Sequence, residues 1–352
     1  MLTAGKDQRQ LSVLLLGEDA PAALMQSYAT GFRRAGVRVE QYCLVRAFRG
    51  ALSRGVARVT NRIARNVMLD LFNRRLLRDI RGRSYDFALV LKGEGISPET
   101  IAALRAASGS PWLNFFPDDP FTDVSSNRLA FGTATLREYD RCLTFAKHLL
   151  PTYRREGVAH VDWLPFARDP DQHTPPDART PPAFDTVFVG NLDVDRIEWL
   201  EPVARTLKVA VFGEHTRAAL PRRSALRRAS FFPAVYGPGL AIALTRGAIS
   251  LNVMRHQNRF SHNMRSYESL ACGAFTLSQR TPELMEMFSE GKDVVFAGSP
   301  EEMSDCAQRW LADPAGRERI ARAGFARVEY DTYQQRAVKI LTLLGLGGDA
   351  DD

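Results

Sequence analysis

The chain has 352 residues, 45% of them hydrophobic and 25% charged, with a net charge of +7. That length admits two domains, and the composition is ordinary for a soluble globular protein. Four widely separated cysteines, Cys43, Cys142, Cys272 and Cys306, exclude a metal-spaced cluster and point to a reduced, cytoplasmic compartment.

Leu11–Leu16 is apolar except for Ser12. It predicts a buried first strand ending at Gly17 and is far too short to span a bilayer; no signal-peptide pattern precedes it. A helix follows from about Pro21 to Ala35, closed by Gly36, and then a strand from Val37 to Leu44. From Arg46 to Ile80 the spacing of Leu52, Val56, Val59, Ile63 and Val67 predicts a basic amphipathic helical stretch. Phe87–Leu91 is a third strand, running into Lys92-Gly93-Glu94-Gly95. Ser97-Pro98-Glu99 opens a helix. Trp112–Phe116 is a fourth strand, ending in Pro117-Asp118-Asp119-Pro120. Arg141–Phe145 and Val161–Leu164 complete the set.

Five prolines between Arg168 and Ala183 predict a connector. The expected division is therefore an N-terminal domain over 1–170, a connector over 171–184 and a second domain over 185–330. The alternation restarts with a strand at Thr186–Val189, Gly190-Asn191, a helix from about Asp195 to Leu207 and a strand at Val209–Phe212. Ile249–Val253 alternates as a strand. His262 to Cys272 reads as a helix capped by Ser261 and stopped by Gly273. Ala274–Leu277 is a strand, and RTPE turns into another helix. Val294–Phe296 is a strand, Ser299-Pro300-Glu301-Glu302 a capping box, and Ala315–Leu344 largely helical. Strands alternating with helices imply an α/β fold with parallel sheets.

The charge is uneven. Residues 1–183 hold 26 Lys+Arg against 19 Asp+Glu, and the remainder 21 of each. Arg46–Arg83 alone contains 11 Arg against Asp70 and Asp79. Such a stretch suits an anionic membrane surface or a lipid-linked acceptor, or a domain helix with a solvated face. It lacks interleaved aromatics, which argues against nucleic acid as a partner.

The segment SHNMRSYESLACGAF, followed by RTPELMEMF, resembles the sugar-nucleotide site of GT-B glycosyltransferases, in particular the CgeB-type (spore maturation protein-like) group. The resemblance implies two doubly wound Rossmann-like domains facing across a cleft, the first on the acceptor side and the second binding the nucleotide-sugar. It also implies that the last segment, 331–352, returns to the first domain through a helix over Tyr333–Leu344. Glu268 matches the carboxylate that holds the donor ribose. The longer retaining-type motif has a second Glu eight positions earlier, where this chain has Phe260.

On that resemblance the donor side comprises Gly190, Asn191, Arg196, His262, Asn263, Arg265, Glu268, Thr281 and Glu283. A carboxylate at Glu268 can accept both hydroxyls of a ribose diol; the plain alternative is an intrahelical pair with Arg265. Arg265 and Arg196 can neutralise a diphosphate and support its departure. Thr281 and Glu283 would face the donor sugar. Asp118 and Asp119, with Arg265, are the candidate catalytic groups, although Pro-Asp-Asp-Pro is also good turn chemistry. Lys92 and Glu94 are acceptor-side candidates. No metal or other cofactor is expected, because positive side chains replace it in this mode. The expected activity is transfer of a hexosyl-type sugar from a nucleoside-diphosphate-sugar donor to a glycan, lipid-carrier or small-molecule hydroxyl, in cell-envelope or polysaccharide biosynthesis. The alternative is a non-catalytic sugar-nucleotide-binding or coat-assembly protein on the same fold.

Overall fold

The computed structural model describes residues 9–20, 23–47, 62–122, 128–177, 180–214 and 220–347, without the side chains of 62–65. The chain divides into two compact units. Unit 1 takes the described residues of Met1–Phe145, Leu149–Leu164 and Arg336–Asp352; unit 2 takes Ala146–His148 and Pro165–Gln335.

Unit 1 is built on a six-stranded parallel sheet: β1 (Ser12–Gly17), β2 (Arg38–Cys43), β3 (Phe87–Leu91), β4 (Trp112–Phe116), β5 (Arg141–Thr144) and β6 (Val161–Trp163), in the order β2-β1-β3-β4-β5-β6. β1, β3 and β4 are buried along their whole length, which is why they read as unbroken apolar runs. Asn114 is the polar exception in β4, and its amide donates to the carbonyls of Val90 and Lys92. Helices α1 (Leu24–Arg34), α2 (Arg62–Ile80), α3 (Pro98–Ser108) and α4 (Leu150–Arg155) complete the unit. Tyr28 and Phe32 of α1 pack on Phe115 and Phe87 with ring centroids 5.8 and 5.6 Å apart. The chain leaves β1 for β2 on one side and returns to β3 on the other. The sheet therefore has its topological switch point between Gly17 and Leu91, where open α/β sheets form a ligand crevice.

Unit 2 repeats the plan with β7 (Phe184–Val189), β8 (Val209–Phe212), β9 (Ser230–Phe232), β10 (Gly247–Asn252), β11 (Thr276–Gln279) and β12 (Val295–Ala297), ordered β12-β11-β10-β7-β8-β9 and wholly parallel. Its helices are α5 (Val194–Thr206), α6 (Pro238–Thr245), α7 (Arg265–Ala271), α8 (Pro282–Met287), α9 (Pro300–Leu311) and α10 (Pro314–Arg327). Here the switch point lies between β7 and β10. Helix α11 (Tyr333–Leu343) joins unit 1 from Arg336 onward, where Lys339 donates to the Trp163 carbonyl at 2.9 Å and lies over its ring.

Several elements differ from their sequence reading. The chain changes unit after Leu164, ahead of the prolines. The cause is visible at Arg168, whose guanidinium bonds the Glu329 carbonyl and whose N–H bonds the Asp331 carbonyl, both in unit 2. The α7 helix begins at Arg265 rather than His262, and Ser261 does not cap it. Instead Asn263 and Ser266 form a reciprocal cap: Asn263 Oδ1 accepts from the Ser266 N–H, and Ser266 Oγ accepts from the Asn263 N–H. Strand β9 and helix α6 had no counterpart in the sequence reading. Ser299 caps its helix, with the Glu302 N–H on Ser299 Oγ at 3.1 Å, and the Glu302 carboxylate reaches one residue past the cap to the Gly298 N–H at 2.7 Å.

The arginines of the basic run whose side chains are described are mostly paired. Arg46 pairs with Asp19, Arg74 with Asp70, Arg75 and Arg78 with Asp79, and Arg83 with Glu40. Residues 48–61, including Arg49, Arg54 and Arg58, lie outside the described residues, as do the side chains of Arg62 and Arg65. No described helix is long and apolar enough to cross a membrane.

The ends of β7 and β8 approach so closely that a Cβ on Gly213 would lie 2.5 Å from the Gly190 carbonyl oxygen. Since that neighbour is backbone, Gly213→Ala is expected to destabilise the chain by about 1–3 kcal/mol, measured by urea denaturation; an unchanged midpoint would show that the strand ends yield freely.

Candidate functional site

At the unit 2 switch point a largely buried guanidinium, 12% exposed, spans the gap between β7 and β10. Arg196, on the first turn of α5, sends Nη1 to the Asn191 carbonyl at 2.8 Å and Nε to the Val253 carbonyl at 3.2 Å. It also lies over the Phe188 ring at 5.5 Å. Asp193 caps α5 by accepting the Arg196 N–H, and its other oxygen is 3.7 Å from Arg196 Nη1 and 3.5 Å from Arg255 Nε. Burial lowers the Arg196 pKa to about 10, with Arg255 and Arg265 pushing the same way against Asp193. Arg196 therefore stays charged at neutral pH, and the three arginines sum to a local positive field with Asp193 as the carboxylate between two of them.

Glu268, 6% exposed, sits one turn into α7. Arg265 Nη1 is 2.7 Å from its Oε2, off the hydrogen-bond axis, since that nitrogen has no hydrogen-bond partner. So the intrahelical pair forms, but it takes only one oxygen. The other oxygen faces His173 Nε2 at 3.7 Å. His173 Nδ1 accepts the Asp169 N–H at 3.0 Å. The neutral ring therefore carries its proton on Nε2, toward Glu268.

His262 and Glu283 face each other inside the protein. His262 is buried; its Nε2 accepts the Phe166 N–H at 3.1 Å, and its Nδ1 is 3.2 Å from Glu283 Oε1. The second Glu283 oxygen accepts the Lys147 N–H at 3.3 Å. Thr281 accepts the Leu284 N–H as the cap of α8 and donates to the Ser261 carbonyl at 2.6 Å. Asn263, besides its cap, donates to Asn252 Oδ1 at 2.8 Å, and Asn252 in turn bonds Ser266 and Ser278. These four residues scaffold the strand ends. Gly190 and Asn191 end β7, where Asn191 Oδ1 accepts the Glu214 N–H.

In unit 1 the candidates converge on Lys92, whose backbone is left-handed at φ 68°, a strained conformation for a side-chain-bearing residue. Its ammonium is 2.9 Å from Glu94 and 3.3 Å from Asp118. Burial pulls the Lys92 pKa down, but the two carboxylates pull it up further, and the net shift is upward. Asp119 is engaged in its own turn: its Oδ1 accepts the Phe121 N–H at 2.9 Å and its carbonyl accepts the Thr122 hydroxyl. Among the described residues no group of three His, Cys, Asp or Glu could hold a metal ion.

Residues 196–342 match a family model described as glycosyl transferase-like. No curated protein matches this sequence. Among solved structures, sucrose-phosphate synthase from Thermosynechococcus elongatus is similar at TM-score 0.67 and 14% identity, covering 96% of this chain and 98% of that one. HepE from Anabaena, in complex with UDP and glucose, gives 0.61 and 10%, covering 96% and 100%. BGT from T4 phage, in complex with its UDP-glucose substrate, gives 0.62 and 10%, covering 94% and 99%. The fold is GT-B. The arginine cluster of unit 2 and the Lys92 cavity of unit 1 lie at the switch points of the two sheets.

His173 escaped the sequence reading because it lies among prolines, where no periodicity marks a buried residue. Burial lowers its pKa from 6.5, outweighing the opposing charge of Glu268; Arg265 lowers it further, and Asp169 and Arg168 act in opposite senses. A depressed folded pKa contributes stability that is complete above the unfolded pKa of 6.5 and is lost as pH falls through the folded value, because the unfolded chain binds the proton first. The melting temperature of the wild type is therefore expected to fall more between neutral and mildly acidic pH than that of His173→Gln. Parallel curves in a thermal-melt series would show that His173 titrates normally.

Proposed function

We propose that the chain is a glycosyltransferase that moves a sugar from a nucleoside-diphosphate donor to an acceptor hydroxyl without a metal ion. The observation that carries this reading is the convergence of Arg196, Arg255 and Arg265 at the unit 2 switch point, one helical turn from a carboxylate with an oxygen to spare. The arginines would hold the diphosphate and stabilise the charge that gathers on it as it leaves. Glu268 would hold the ribose diol, with His173 behind it. In the transfer, the C1–oxygen bond to the diphosphate breaks and its electron pair departs on the phosphate. The acceptor oxygen bonds to C1 and releases its proton. Asp118, paired with Lys92, would be the acceptor-side carboxylate that steers that hydroxyl; Asp119 is engaged in its own turn. Within the GT-B fold we assign the chain to the CgeB-type group, on SHNMRSYESLACGAF. UDP-glucose, present in the HepE and BGT complexes, is the donor to test first.

Glu268→Ala should weaken UDP binding by about 1–3 kcal/mol, the worth of two hydroxyl bonds to a charged group, in a chain that circular dichroism shows to be folded, with a lowered melt because Arg265 loses its carboxylate. Equal affinities by calorimetry would remove Glu268 from the ribose. Slow UDP release from UDP-glucose should persist in EDTA, because the arginines supply the positive charge; turnover that stops with EDTA and returns with magnesium or manganese would contradict the metal-free reading.

A further inference from the structure

The crevice at the unit 1 switch point is a cavity of about 550 Å³, within the range of small-molecule sites. Its floor is apolar, with Leu69 and Phe72 of α2 and Ile96 after β3. Its polar groups are Glu18, Lys92, Glu94 and Arg128.

The loop that forms one wall is rigidly built. Lys92 and Gly93 are both left-handed, at φ 68° and 75°. A Cβ on Gly93 would lie 2.7 Å from Val90 Cγ1. The buried Asn73 amide donates to the Gly95 carbonyl at 3.0 Å, and its oxygen accepts the Ser97 N–H at 2.9 Å. Glu94 is tied by its carbonyl to the Ala130 N–H at 2.8 Å. Strain held this firmly at a sheet switch point is the mark of a preorganised site.

The charges decide what the site takes. The Lys92 ammonium is committed to Glu94 and Asp118, and Arg128 also has a partner. Glu18, exposed at the end of β1, has none among the described residues. Among the described lining residues the uncommitted charge is thus a carboxylate, which accepts hydroxyl hydrogen bonds and repels phosphate or a second carboxylate.

We infer that the acceptor is an uncharged, hydroxyl-bearing molecule with an apolar face, such as a neutral glycoside, seated in this cavity with its hydroxyls toward Glu18. This rests on the glycosyltransferase reading and narrows it. It runs against the anionic carrier that the charge of the N-terminal half suggests, because the described arginines there are largely paired.

The test uses a matched pair of probes, p-nitrophenyl glucoside and p-nitrophenyl glucuronide, which differ by one carboxylate. Their affinities for the intact chain are measured by ligand-observed NMR in the presence of UDP. The glucoside should bind about five- to tenfold more tightly, the effect of one like charge in a partly solvated site. Glu18→Gln should bring the two within about twofold, since the repelling charge is gone. Glu18 is at the surface, and a melt of the variant checks its fold. Tighter glucuronide binding, no binding of either probe, or a preference that survives Glu18→Gln overturns the inference. UDP calorimetry on the same wild-type sample separates the two readings. UDP binding without a glycoside preference sinks the acceptor inference alone, and no UDP binding sinks the donor reading.

Discussion

A largely buried cation whose hydrogen bonds, among the described residues, go to neutral carbonyls is the constraint around which the switch point of unit 2 is arranged. Arg196 is sheathed by two backbone carbonyls and the face of Phe188, and its nearest carboxylate, Asp193, is shared with Arg255. Burying a guanidinium on neutral acceptors costs solvation that carbonyl dipoles restore only in part. The cost is tolerable if an anion completes the site. The geometry follows from topology: β7 and β10 are neighbours whose connections leave in opposite directions, so their ends part and leave room for one side chain between them.

The two buried glutamates of α7 and α8, Glu268 and Glu283, divide by environment into two classes. Glu283 spends both oxygens on His262 and the Lys147 amide. Glu268 spends one oxygen on Arg265 and keeps the other before a histidine proton at 3.7 Å. Two carboxylates on adjacent helices of one motif thus have different availability to a ligand. Residues far away in sequence, His173 beside Glu268 and Lys147 beside Glu283, set that difference.

Much of the architecture was legible because buried parallel strands are apolar throughout: LVL around Val90, WLNFF and TVFV announce themselves by composition. Caps with a short-range pattern, at Ser97 and Ser299, were equally plain. Helix α6 escaped because PGLAIALT is apolar on all sides and gives no helical stripe. The start of α7 was placed three residues early because SHNMRS offers Ser261, Asn263 and Ser266 as competing caps, and the tertiary bond from Thr281 to the Ser261 carbonyl decides between them. The positive charge of Arg46–Arg83 could be counted but not located. Its partners Asp19 and Glu40 are distant in sequence and reach it only through the packing around β2. At the site, the residue types were readable, but which of them are free for a ligand depends on long-range contacts such as Phe166 to His262.

The central claim is that a nucleoside diphosphate completes the arginine site between β7 and β10. A crystal structure of the chain soaked with UDP tests it most directly. The account predicts that the diphosphate lies at the carboxyl ends of those strands against Arg196, Arg255 and Arg265, with the ribose hydroxyls on Glu268. A nucleotide bound elsewhere, or a diphosphate at that edge with Glu268 still paired only to Arg265 and away from the ribose, would contradict it.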